Sequence, residues 1–357
     1  MDQHWMNRTL ELAKRGAGWV SPNPMVGCVI VKDGQVIAEG WHAKYGGPHA
    51  EAAALAIAGQ KANGATLYVN LEPCSHFGKT PPCADAIIAH KLARVVVAME
   101  DPNPKVAGRG IERIRAAGIQ VEVGLMEAEA KELNRSFLHY ITNKTPYCLM
   151  KTAVTMDGKT GTSTGDSQWI TGPAAREVVH HMRHELDAVL VGTGTALADN
   201  PRLTARLDME VSQPVRVVID KDALLPQSHH LFSDGAAKTI WAVGETQVPQ
   251  ETAEHVEVVK VEVKDGHLDL KDLFEKLGER NIASILLESG GGLNAAMLEA
   301  GLVQEVALFM APKIVGGAEA KTAVEGSGIP VLSDCLNLEF TEVRPVGPDL
   351  LIRGKVK

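Results

Sequence analysis

Apolar positions recur along the chain with two periods. Over residues 2–15, Met6, Leu10 and Ala13 fall near one face of a 3.6-residue repeat, which predicts a helix ended by Gly16 and Gly18. Residues 25–31 are a continuous apolar run rich in β-branched side chains. Lys32-Asp33-Gly34-Gln35 follows as a tight turn, because Asp-Gly supplies positive φ, and 36–40 is the returning strand. An Ala-rich helix over 49–58 comes after the Gly46-Gly47-Pro48 loop. Strand and helix then alternate, with strands over 65–71, 93–99 and 119–124 and helices over 84–90, 110–117 and 128–140. That alternation predicts a sheet with helices on its faces.

The pattern restarts near Tyr147. A strand over 149–156 ends at Asp157-Gly158, and a helix over 173–185 carries Pro at its first turn. Short apolar strands follow at 188–191, 215–220 and 238–243, then a helix at 270–277 and a strand at 284–288. Three glycines lead into a helix at 293–299, and strands at 306–310 and 350–356 close the chain. The polar turn at 143–146 marks a boundary. It divides the 357 residues into domains over 1–145 and 146–357, both α/β, with no internal repeat.

Charge sharpens this division. Residues 1–145 hold 16 Lys/Arg against 14 Asp/Glu, whereas 146–357 hold 20 against 30, for a net charge of −8 overall. A negative chain without a basic tract argues against nucleic acid as partner. No apolar run reaches the ~18–20 residues that span a bilayer. Met1-Asp2-Gln3-His4 lacks the basic-then-apolar shape of a secretory signal. The expectation is a soluble, cytoplasmic protein with no membrane partner. Five cysteines, an odd number, suit core thiols, a metal or a nucleophile better than a disulfide scaffold.

Four of the cysteine, histidine and acidic positions form a chemical pattern. His49-Ala50-Glu51 is followed by Pro73-Cys74 and by Cys83. Nucleobase deaminases hold zinc with one His and two Cys and keep a Glu that is not a ligand. Thiolates and imidazole suit zinc and leave a fourth position for water, whose pKa zinc lowers. Glu51 is placed to shuttle the proton. Eight residues separate the cysteines, where the generic pattern has two. Two unrelated cysteines with a surface His, or a closed structural zinc, are the blander readings. Two Gly-rich segments follow predicted strands, Gly192-Thr193-Gly194-Thr195 and Ser289-Gly290-Gly291-Gly292, and glycines at a helix start admit phosphate. Gly290, Gly292 and Ala295 fit G-x-G-x-x-A, but without a clear β-α-β unit around them this is no Rossmann domain.

Pro73-Cys74-Ser75-His76-Phe77-Gly78-Lys79-Thr80-Pro81-Pro82-Cys83 resembles the long zinc loop of the bifunctional deaminase/reductase family of riboflavin biosynthesis. Pro22-Asn23-Pro24-Met25-Val26-Gly27, Asp101-Pro102-Asn103-Pro104, Gly108-Arg109-Gly110 and Ser167-Gln168-Trp169-Ile170-Thr171 are similar to that family as well. The resemblance implies a cytidine-deaminase-like α/β/α domain followed by a dihydrofolate-reductase-like α/β domain. It implies deamination of 2,5-diamino-6-ribosylamino-4(3H)-pyrimidinone 5′-phosphate, then NADPH-dependent reduction of the ribosyl group at C1′.

By that resemblance His49, Cys74 and Cys83 hold Zn2+, Glu51 is catalytic, and Asn23, His42, His76, Lys79, Asp101 and Asn103 contact the deaminase substrate. Ala153, Trp169, Thr195, Asp199 and the run Gly290, Gly291, Gly292, Leu293, Asn294, Ala295 and Ala296 fall on NADPH positions. Ser167, Arg183, Leu203, Arg206 and Glu288 fall on reductase-substrate positions, with Lys151 and Asp199 able to polarise or protonate the opening sugar. Arg183 and Arg206 suit a phosphate dianion. The resemblance also implies a homo-oligomer, dimer or tetramer. His180, His181 and His184 read as helix surface, and Cys28, Cys148 and Cys335 need no special role. A transfer-RNA-type adenosine deaminase and a structural zinc module joined to a nucleotide sensor are the competing readings.

Overall fold

The computed structural model describes residues 1–75, 81–103, 106–249 and 252–357. His76 and Lys79 lie outside the described residues. The chain divides into two compact units, Met1–Lys144 and Thr145–Lys357.

In the first unit α1 (Asp2–Lys14) precedes the hairpin of β1 (Gly27–Lys32) and β2 (Gln35–Trp41). There follow α2 (Ala50–Ala58), β3 (Thr66–Val69), α3 (Cys83–Ala89), β4 (Arg94–Val97), α4 (Arg109–Ala116) and β5 (Gln120–Val123). Two helices, α5 (Glu127–Leu133) and α6 (Arg135–Asn143), end the unit. The sheet runs β2-β1-β3-β4-β5. It is antiparallel around β1 and parallel from β3 to β5. Successive strand residues point to opposite faces. Ile30, Leu67 and Val95 therefore pack with Leu55, Ile87 and Ile111, while Val29, Tyr68 and Val96 pack with Met6, Leu10 and Leu12. Gly40 lets α2 lie against β2, since a Cβ there would sit 2.5 Å from the carbonyl oxygen of Ala50.

The helix expected over 128–140 is broken at Asn134. Its buried side chain accepts from the Met25 amide at 2.8 Å and donates to the Met25 carbonyl at 3.0 Å. A tertiary bond overrides helical continuity there, and local sequence carries no sign of it.

The second unit begins with β6 (Tyr147–Thr155), α7 (Pro173–Glu185), β7 (Ala188–Gly192), α8 (Thr193–Asp199), β8 (Val215–Ile219) and α9 (His230–Ser233). Next come β9 (Thr239–Gly244), β10 (Val256–Val261), the small hairpin of β11 (Val263–Lys264) and β12 (His267–Leu268), and α10 (Leu270–Glu279). It closes with β13 (Ser284–Leu287), α11 (Gly291–Glu299), β14 (Glu305–Ala311), β15 (Leu338–Val346) and β16 (Asp349–Val356). A nine-stranded sheet has the order β10-β9-β8-β7-β13-β6-β14-β16-β15. Its pairs from β10 to β14 are parallel, and β16 and β15 are antiparallel additions. The late strand β13 is inserted between β6 and β7. This brings the C-terminal ends of three strands together, the place where open parallel sheets bind ligands.

Sequence reading missed β10, β15 and α8. In β15, Leu338, Phe340 and Val343 are exposed, so no apolar stripe faces a core. The Gly192-Thr193-Gly194-Thr195 segment, which follows β7 as a Gly-rich strand exit, caps and opens α8. No helix among the described residues is long and apolar enough to cross a membrane.

Candidate active sites

His49 is the residue on which α2 starts, and Glu51 lies in the first turn of that helix, 3 % exposed. Cys74 follows the exit of β3, and Cys83 opens α3. Nδ1 of His49 lies 3.3 Å from Sγ of Cys83 and 3.6 Å from Sγ of Cys74. The amide of Cys83 donates to Sγ of Cys74 at 3.3 Å, so a helix N-terminus faces that sulfur. All three ligand atoms lie within 4.8 Å of one another, the sole such cluster among the described residues. Ligands bound at ~2.0–2.3 Å to a tetrahedral ion stand roughly 3.5–3.8 Å apart. The spacing and the donor set both fit zinc with one position left for water.

A hydrogen bond from Cys83, then the His49 imidazole, outweigh burial and lower the pKa of Cys74, favouring its thiolate. Cys83 is pushed the other way by sharing its proton with Cys74 and by burial. Burial, followed by the charge on Cys74, raises Glu51 to about 7. A carboxyl poised near neutrality both takes and returns a proton.

Asn23 and His42 meet beside this cluster. Nδ1 of His42 lies 2.9 Å from the Pro48 carbonyl and Nε2 lies 3.2 Å from Nδ2 of Asn23. This fits the tautomer with the proton on Nδ1 and Nε2 accepting from Asn23. Burial lowers the pKa of His42, so the neutral ring is favoured. Its ring centroid is 5.6 Å from that of His49. The loop bearing Asn23 is held at Met25, where Asn70 adds a bond of 2.9 Å to the same carbonyl that Asn134 grips. Asp101 is buried and its Oδ1 accepts from the Asn103 amide at 2.9 Å.

In the second unit Lys151 follows Met150 on β6, and Glu288 follows Leu287 on β13; Met150 and Leu287 are paired in register, so the two side chains are neighbours. Nζ of Lys151 lies 3.1 Å from Oε2 of Glu288. Arg183, from α7, binds both oxygens of the same carboxylate at 2.6 and 3.0 Å. Burial would raise Glu288, but the charges of Arg183 and Lys151 bring it down to about 2. Arg183 and Arg206 also converge on the Thr204 carbonyl, at 3.2 and 3.3 Å. Burial and the neighbouring Arg183 and Arg202 lower the pKa of Arg206. Cations thus outnumber the one carboxylate, which suits an anionic group.

His184 is not a surface residue, and His180 is half-buried. Burial, then Arg183 and Arg206, hold His180 at about 4. His184 is buried and its Nδ1 accepts from the Ser212 amide at 3.0 Å. The i, i+3 spacing of His180 and Arg183 was the available signal that His180 shares a face with the cationic cluster.

The two Gly-rich strand exits are adjacent. A Cβ on Gly290 would lie 3.9 Å from Oγ1 of Thr195, and one on Gly192 would lie 3.2 Å from Leu293. Gly290 and Gly292 are exposed, Leu293 and Ala296 half-buried, and Gly291 and Ala295 buried. Asn294 is fully buried and spends its amide on Ser289 and Ala323. Burial raises the pKa of Asp199, opposed by Lys321. Ala153 and Ser167 are half-buried, and Trp169 is 62 % exposed with the Arg176 guanidinium 4.5 Å from its ring centre. Leu203 turns its side chain into the core, 3 % exposed, on a backbone with φ of 52°.

Two family models match the chain. The cytidine and deoxycytidylate deaminase zinc-binding region matches residues 1–99, and the RibD C-terminal domain matches residues 146–352. The chain is 44 % identical over 355 residues to the riboflavin biosynthesis protein RibD of Actinobacillus pleuropneumoniae, covering 98 % of this chain and 94 % of that one. It is 44 % identical over 363 residues to RibD of Escherichia coli K12, covering 98 % of each. Among solved structures, Acinetobacter baumannii RibD superposes with a TM-score of 0.91 at 39 % identity, covering 100 % of this chain and 99 % of that one. The diaminohydroxyphosphoribosylaminopyrimidine deaminase/5-amino-6-(5-phosphoribosylamino)uracil reductase of Thermotoga maritima gives 0.90, with the same identity and coverage.

Proposed function

The chain belongs to the RibD family of bifunctional deaminase/reductases, and from that premise we propose which of its residues carry each reaction. It is a two-reaction enzyme of riboflavin biosynthesis, with a zinc-dependent deaminase and an NADPH-dependent reductase. The substrate is 2,5-diamino-6-ribosylamino-4(3H)-pyrimidinone 5′-phosphate. The product of the pair is 5-amino-6-ribitylamino-2,4(1H,3H)-pyrimidinedione 5′-phosphate.

The observation that carries the first assignment is the convergence of His49, Cys74 and Cys83, with Glu51 buried beside them. Zinc held by these three supplies a Lewis acid that makes a water molecule a better acid. Glu51 would carry two protons in turn: one from the attacking water to the ring nitrogen as the C–O bond forms, and one from the resulting hydroxyl to the amine as the C–N bond breaks and ammonia leaves. Asn23 and neutral His42 orient the base and ribose. Asp101 and Asn103 contact the substrate from the exit of β4, with His76 and Lys79 assigned to its phosphate by resemblance alone.

In the second unit NADPH supplies the hydride for C1′. Thr195, Asp199, Ala153, Trp169 and the 290–296 segment receive it. Asn294 serves there by fixing the Ser289 turn rather than by touching the cofactor. Arg183 and Arg206 bind the substrate phosphate, and Glu288 keeps the Lys151 ammonium and the Arg183 guanidinium in place. Ser167 and the backbone of Leu203 complete the substrate side. Lys151 and Asp199 are placed to protonate the sugar oxygen as the ring opens.

We also propose a cytoplasmic homo-oligomer. Phe340 and Val343 on edge strand β15 are 68 % and 61 % exposed, an unpaired apolar margin that a second copy would cover. Light scattering of the purified protein should give a dimer or larger, and Phe340→Lys should dissociate it. The function itself is tested by supplying the diaminopyrimidinone ribonucleotide with NADPH. Ammonia release followed by loss of NADPH absorbance is expected, and no ammonia from the zinc-loaded protein would overturn the assignment.

A further inference from the structure

Glu72 has a charged side chain that is only 4 % exposed, and neither the zinc chemistry nor the substrate contacts use it. It leaves β3 two residues before the ligand Cys74, and its own amide donates to the Met99 carbonyl at 3.0 Å, joining the exits of β3 and β4. Its carboxylate reaches across to backbone donors of the next loop and helix. Oε2 accepts from the Asp101 amide at 3.2 Å and the Gly108 amide at 2.9 Å. Oε1 accepts from the Gly110 amide at 2.8 Å and the Ile111 amide at 3.4 Å. The residue thus serves as a negatively charged cap for α4, with every lone-pair direction used. Gly110 closes the other side of this clamp: a Cβ there would lie 1.9 Å from the Pro73 carbonyl oxygen, so α4 begins in direct contact with the segment that delivers Cys74.

We propose that Glu72 is a positioning residue for deamination, one that fixes the Asp101–Asn103 loop relative to the metal ligand Cys74. This rests on the assignment of Asp101 and Asn103 as substrate contacts. The carboxylate binds the Asp101 amide directly, and the Asp101 side chain in turn binds the Asn103 amide. One side chain therefore sets the distance between the metal and the groups that hold the base. Losing it leaves the zinc ligands His49, Cys74 and Cys83 in place while releasing the loop.

The test is Glu72→Gln in the full-length, zinc-loaded enzyme. An amide presents a donor to two of the four backbone N–H groups, so two bonds are lost. The expected result is a KM for the deaminase substrate raised at least tenfold, with one zinc retained, kcat per bound zinc within about threefold of wild type, and the reductase reaction on pre-deaminated substrate intact. A merely structural role would lower the active fraction, so that kcat and zinc content fall together at unchanged KM, and that outcome overturns the proposal. Should Glu72→Gln not accumulate as folded protein, Glu72→Asp keeps the charge and carries the same KM comparison. Asp101→Ala and Asn103→Ala run in parallel. If they leave KM unchanged, the substrate-contact assignment fails. If they raise KM and Glu72→Gln does not, the positioning role fails.

Discussion

Arg183 clasps Glu288 through two bonds, Nε to Oε1 at 2.6 Å and the terminal nitrogen to Oε2 at 3.0 Å, and Lys151 takes the remaining direction on Oε2 at 3.1 Å. The carboxylate therefore enters the site already neutralised, and its value there is in holding two cations. Its pKa lies at about 2 in the folded chain against an ordinary 4.5. A folded value below the unfolded one gives stability that is complete above pH 4.5 and is lost as pH falls through 2. The contribution is on the order of 3 kcal/mol. Unfolding of the 145–357 half should show Glu288→Gln less stable than wild type at pH 7, with the gap narrowing steadily from pH 4.5 downward. An unchanged gap at pH 3 would contradict the linkage.

Replacing Glu51 by Gln keeps the size of the side chain and removes the carboxyl proposed as proton carrier. Deamination should fall by about 10²–10⁴-fold, the range for a lost general acid/base. Bound zinc should stay at one per chain, and reduction of the pre-deaminated substrate should be unaffected. Simultaneous loss of both reactions in a folded protein would mean that the sites are not independent.

Chelation separates the activities by another route. His49, Cys74 and Cys83 belong to the first unit, and the described residues of the second unit contain no comparable cluster. Stripping zinc should abolish ammonia release and leave NADPH oxidation with pre-deaminated substrate at its starting rate. Zinc added back should restore ammonia release.

Arg206 donates to the Thr204 carbonyl and hydroxyl, at 3.3 and 2.9 Å, and shares its surroundings with two further arginines. A cation left in that state favours a phosphate. Arg206→Ala should raise the reductase KM by about 10–100-fold, the loss of one or two charge-assisted bonds. The dephosphorylated nucleoside, a poor substrate from the outset, should be nearly indifferent to the change.

Gly110→Ala probes packing at the first site. The new methyl would meet the Pro73 carbonyl at 1.9 Å, and backbone on both sides has little room to yield. The first unit should lose about 2–4 kcal/mol, read as an earlier thermal transition of that unit alone.

The zinc cluster was legible because His49, Glu51, Cys74 and Cys83 sit where a regular element begins or ends, so motif and backbone coincide. Most strands of the parallel sheet were legible for a similar reason: buried on both faces, they read as continuous apolar runs. What local sequence could not show were the partners chosen across long separations. Asn134 looks like any polar residue in an amphipathic helix until Met25 is beside it. His184 looks solvated until Ser212 returns to it. Glu72 is part of the Glu72-Pro73-Cys74 match to the family, but nothing local to it shows the four amides it gathers from the 101–111 segment. The insertion of β13 between β6 and β7 leaves no trace in any single segment.

The bond between Asn134 and Met25 governs where the chain could be cut to separate its two reactions. The peptide of Met25, which supports the turn bearing Asn23, is gripped by a residue more than a hundred positions away. A fragment stopping at residue 133 would keep every zinc ligand and Glu51, yet lose the anchor of its own first loop. A free-standing deaminase therefore has to extend through Asn134, well beyond the 1–99 segment that carries the zinc-binding signature.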